Sequence, residues 1–78
     1  MEKKDLELVQ ALLPNDEELR QHYEDHLEFE KQLGELNRKL YLTPEQDLQR
    51  REIQKRKLAG KDRIMEILQR HRETAASH

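Results

Sequence analysis

Cysteine is absent from the sequence, which removes a disulfide framework, a thiolate metal site and a cysteine nucleophile at once. A reducing cytoplasm is compatible with that absence. Glycine and proline occur twice each and the aromatic residues number three, too few for a sheet-rich fold, a low-complexity chain or a glycine-rich phosphate loop. Long apolar runs are missing as well. The opening MEKKDLELVQALL is too short and too interrupted by charge to read as a signal peptide or a membrane span. The expectation is a soluble, untargeted, cytoplasmic protein with no membrane contact.

Charge dominates what remains. Of the 78 residues, 41 % are charged and 33 % apolar, enough for one small unit covering 1–78 but with little material for an enclosed pocket. The net charge of −2 conceals an asymmetry: residues 1–43 carry 6 Lys/Arg against 11 Asp/Glu, whereas 44–78 carry 9 against 6. An acidic half therefore faces a basic half.

Punctuation divides the chain into three helices. The first, about 3–13, stops at Pro14, whose ring fits poorly in a helix interior and biases Leu13 away from helical geometry. The second spans about 16–41, with Asn15 as its expected cap and Glu18 reaching back as in a capping box. YLTPEQ is the clearest local signal. Thr43 is placed to cap, Pro44 to open the helix and Gln46 to close the box on a third helix over about 44–72. The tail, 73–78, has no large apolar anchor and is expected to fray.

Periodicity then predicts the packing. Leu19, His22, His26, Phe29, Leu33, Leu36 and Leu40 alternate spacings of three and four, as do Ile53, Lys57, Gly60, Ile64, Ile67 and His71. These are narrow heptad seams, and with a link of about two residues they fold back as an antiparallel, coiled-coil-like hairpin. In that register Leu33 meets Ile53, Phe29 meets Lys57 and His26 meets Gly60. The fold class expected is all-α, a two-helix hairpin preceded by a short helix.

The pairing of HLEFEKQL with KRKLAGKDRIMEIL resembles the small bacterial YdcH-like proteins, a family of helical hairpins without an established activity. The matching positions are His26, Phe29, Glu30, Leu33, Lys57, Leu58, Lys61, Asp62 and Ile64. Phe29 and Gly60 stand where the family usually has Leu, and Arg63 where it usually has Glu. The resemblance implies the hairpin and a bacterial context, and no chemistry.

A polar seam is expected from His26, Glu30, Lys57, Gly60 and Lys61. The Lys57 stem should lie across Phe29 with its ammonium at Glu30, a device for register rather than stability. Gly60 in a helix interior costs about 1 kcal/mol relative to Ala, and the reason proposed is room for the bulky Phe29 and His26 opposite. Asp62 has no basic residue three or four positions away.

Candidates for chemistry each have a plainer reading. His22, His26 and Glu30 recur every four residues, a spacing that could gather a metal ion, but HYEDH places its Glu two positions after the first His rather than one. Seam packing is the reading adopted, with no metal and no cofactor. The basic run RREIQKRK offers Arg50, Arg51, Lys55 and Arg56 to nucleic acid, but the acidic helix beside it and the scarcity of aromatic residues make a solvated, ion-paired face the reading adopted. Ser77 lies in the tail and Thr43 is committed to a cap, so no enzyme and no small-molecule substrate are expected.

Off the seam a second apolar set, Tyr23, Leu27, Leu58, Met65 and Leu68, is left for interaction. Either the first helix, through Leu6, Val9, Leu12 and Leu13, covers part of it, or two hairpins associate as a homodimer. The function expected is a non-enzymatic protein-interaction or assembly module, with RNA or DNA binding as the alternative.

Overall fold

The computed structural model describes residues 2–76. Helix α1 covers Lys3–Leu12, α2 covers Glu17–Asn37 and α3 covers Pro44–Ala76. The molecule is all-α, and its 53 × 21 × 16 Å extents describe a rod. At 1.5 Å per residue the 33-residue α3 alone accounts for about 50 Å of that length.

Proline ends α1 as expected, but the chain continues as a single 3₁₀ turn over Leu13–Asn15 instead of opening at once. Arg20 Nη2 donates to the Leu13 carbonyl at 3.1 Å and so ties that turn to α2. Because Asn15 is used in the turn, the cap moves one residue on. Asp16, with extended backbone, accepts the Leu19 N–H at 2.9 Å, so the Asn15–Glu18 capping box does not form.

The expected end of α2 is also corrected. The helix stops at Asn37, the chain reverses through residues 38–43, and Leu40 and Tyr41 stand 93 % and 89 % exposed. Leu42 explains the early stop, since it folds back onto Leu33, Leu36 and Ile53 and fills the place that the heptad count assigns to Leu40. At the start of α3 the box is complete. Thr43 Oγ1 accepts the Gln46 N–H, and Gln46 Oε1 accepts the Thr43 N–H, each at 3.1 Å.

Residues 73–76 are helical rather than frayed, with Thr74 Oγ1 donating to the Arg70 carbonyl at 2.9 Å; Ser77 and His78 lie outside the described residues.

α2 and α3 pack antiparallel in the expected register. Leu33 clusters with Ile53, Lys57 Nζ lies 3.7 Å from Glu30 Oε1, and His71 Nε2 lies 3.0 Å from Asp16 Oδ2. Two apolar clusters result. At the open end of the hairpin α1 lies across α2 and α3, and Val9, Leu19, Ile64, Ile67 and Leu68 become a fully enclosed core flanked by Leu8, Leu12, Leu13, Tyr23 and Met65. At the loop end Leu33, Leu36 and Ile53 pack with only Phe29 and Leu42 to cover them. Between the clusters the seam is polar.

Candidate interaction face

The polar stretch of the seam is built around Glu30. His26, buried at 7 % exposure, places Nε2 3.0 Å from Glu30 Oε1, and Lys57 approaches the same oxygen from α3. The other imidazole nitrogen, Nδ1, is buried without a hydrogen-bond partner among the described residues. The contact of Lys57 with Glu30 is as the sequence suggests. Gly60 is different: a Cβ built on it meets nothing within 4 Å, so neither Phe29 nor His26 needs the space and volume compensation does not explain this glycine.

Beside this stretch the surface opens into a cleft of about 480 Å³ lined by His26, Glu30, Arg51, Lys55, Lys57, Leu58 and Lys61. A smaller neighbour of about 330 Å³, lined by Leu6, Tyr23, Leu27 and the same His26 and Glu30, connects this region to the edge of α1. One side of the hairpin therefore carries α1 at its open end and these two clefts next to it.

The expected apolar set divides along that side. Leu68 is 0 % exposed beneath α1 and is not available to a partner; Tyr23 and Met65 pack partly against the same core. The first of the two alternatives for this surface is thus the one observed within the chain. Leu27, at 46 %, and Leu58, at 60 %, remain open.

The basic residues divide too. Arg51 and Lys55 share the cleft of Leu58, whereas Arg56 lines a cleft on the other side with Leu48 and Gln32. Arg50 and Arg51 both pair with Asp47, at 3.0 and 3.1 Å, and Arg56 lies 3.7 Å from Glu52. The four do not form one face. The cationic surface that does form is Arg51, Lys55, Lys57 and Lys61, around Leu58. Reading one residue beyond each seam position of α3 would have united Leu58 with Lys61, since residues three apart on one helix are neighbours on its surface.

Long-range ion pairs hold the open end. Arg72 Nη2 reaches Asp5 Oδ1 at 2.6 Å, fastening α1 to α3, and this contact keeps the Asp5 carboxyl below its ordinary value of 3.8. Asp16 is lowered as well, first by the Leu19 N–H and then by His71. On the outer side Arg63 bridges Glu66 at 2.8 Å and Glu18 at 2.6 Å. No cluster of three metal-ligating side chains occurs among the described residues, and none of their helices is long and apolar enough to cross a membrane.

No family model, curated protein or solved structure matches the chain.

Proposed function

We propose that the chain is a non-enzymatic protein-interaction or assembly module, a helical hairpin that offers Leu27, Leu58 and their flanking polar residues to a protein partner or to a second copy. The observation that carries this reading is the placement of Leu27 and Leu58, open to solvent on the same side that α1 covers further along. A hairpin of this size gains much from covering such residues, since burying a leucine contributes about 1.5 to 3 kcal/mol. The resemblance to the YdcH-like hairpins bears on the hairpin and a bacterial context alone; a cytoplasmic homodimer is the simplest form of the module proposed.

Light scattering over a wide concentration range, on the wild type and on Leu58→Glu, tests it. A mass rising toward two chains that returns to one in the variant supports the reading. A one-chain mass throughout, together with identical sets of proteins retained by wild-type and Leu58→Glu baits, contradicts it.

RNA or DNA binding is the second reading, favoured by the cations Arg51, Lys55, Lys57 and Lys61 along one cleft. Its signature is affinity that falls steeply with salt and does not depend on Leu58.

A further inference from the structure

We infer that the cleft around Leu58 is a seat for an acidic amphipathic helix, laid across α2 and α3 on the side that α1 already occupies. The inference rests on the interaction-module reading and names the chemistry of the partner.

The first observation is that this side of the hairpin accepts a helix. α1 buries Val9 completely among Leu19, Ile64, Ile67 and Leu68, so an apolar stripe fits the furrow between α2 and α3. α1 also supplies the electrostatic pattern, because its Asp5 pairs with Arg72 of α3 at 2.6 Å. His26 and Glu30 line both the cleft at the edge of α1 and the cleft of Leu58, so the furrow continues toward the loop.

Charge selects the occupant. The Leu58 cleft is rimmed by Arg51, Lys55, Lys57 and Lys61 against one carboxylate, Glu30. Glu30 is shared by His26 and Lys57, and Arg51 is matched by Asp47. No carboxylate among the described residues pairs with Lys55 or Lys61. A partner bearing Glu or Asp beside its apolar stripe satisfies both ammonium groups while its leucine-like residues cover Leu58 and Leu27; a basic helix is repelled. Arg51 to Lys61 spans about 15 Å of α3, the length of roughly three turns of the incoming helix. Neither Phe, Tyr nor Trp lines this cleft, so single-stranded nucleic acid finds no stacking platform there.

The test uses the full chain and three fluorescent probes read by anisotropy: a synthetic amphipathic helix with a leucine stripe flanked by Glu, the same peptide with Lys for Glu, and a single-stranded oligonucleotide. The acidic peptide should bind, more weakly as salt rises, and lose about tenfold or more in affinity with Leu58→Glu. Lys55→Glu, a change at an exposed position, should weaken it severalfold with the helical circular dichroism unchanged. Failure of the acidic peptide to bind, equal binding of the acidic and basic peptides, or preferential binding of the oligonucleotide overturns the inference. A Leu58-dependent dimer in light scattering without peptide binding also overturns it, assigning the cleft to a second copy while leaving the interaction reading intact.

Discussion

The two ends of the hairpin use the same seam pattern and reach different results. At the open end a third helix closes the furrow, and Val9, Leu19, Ile64, Ile67 and Leu68 lose essentially all contact with water. At the loop end two helices and Leu42 are all there is, and Leu33, Leu36 and Ile53 keep a small exposure while Leu48 is mostly open. Two helices bury a line of side chains; a third converts the line into a volume. Stability should therefore concentrate where α1 sits, leaving the middle of the same side free to bind.

Core truncation separates the ends most strongly. Ile64→Ala should cost about 3 to 5 kcal/mol, whereas Leu36→Ala should cost about 2, because a two-helix site relaxes and admits water. Urea unfolding of both variants gives the comparison, and equal losses would contradict it.

Capping variants should act more mildly. Thr43→Ala removes the box that starts α3 and should cost about 1 kcal/mol in the same measurement. Gly60→Ala, between the two ends, should stabilise the chain by up to about 1 kcal/mol, since the added methyl meets only open space and removes the helix penalty of glycine. A lower melting temperature for Gly60→Ala would restore the idea that the glycine is needed for packing.

Acid should loosen the open end first, by a small amount. Asp5 and Asp16 both titrate below the ordinary 3.8 in the folded chain, so each stabilises it when ionised. That contribution is complete above 3.8 and is lost as pH falls through the lowered folded values. Amide exchange in α1 should rise in that range before exchange in α2, and Arg72→Gln should diminish the acid sensitivity of α1.

The features legible in the sequence were those set by local chemistry or by period. Thr43, Pro44 and Gln46 specify a helix start without any help from the rest of the chain, and the heptad seams give the antiparallel register that joins Leu33 to Ile53. What escaped was decided by competition between neighbours. Asn15 and Asp16 can both cap, and the turn imposed after Pro14 takes the first and leaves the second. Leu40 and Leu42 can both close the loop end, and it is Leu42 that packs on Leu33, Leu36 and Ile53, which ends α2 early. Gly60 shows the limit of periodicity, which assigns a position to the seam but not the atoms that lie against it. The candidate face is legible only in fragments: by sequence Leu58 belongs to an apolar set and Arg51 and Lys55 to a basic run, although the three share one cleft.

Native-state hydrogen exchange along α3 tests the central contrast most directly, because one helix passes through both ends. Amides of residues 64–68 should exchange only through global unfolding, and those of residues 48–56 through smaller openings that leave the three-helix end intact. Uniform protection along α3, or stronger protection at the loop end, would contradict the account.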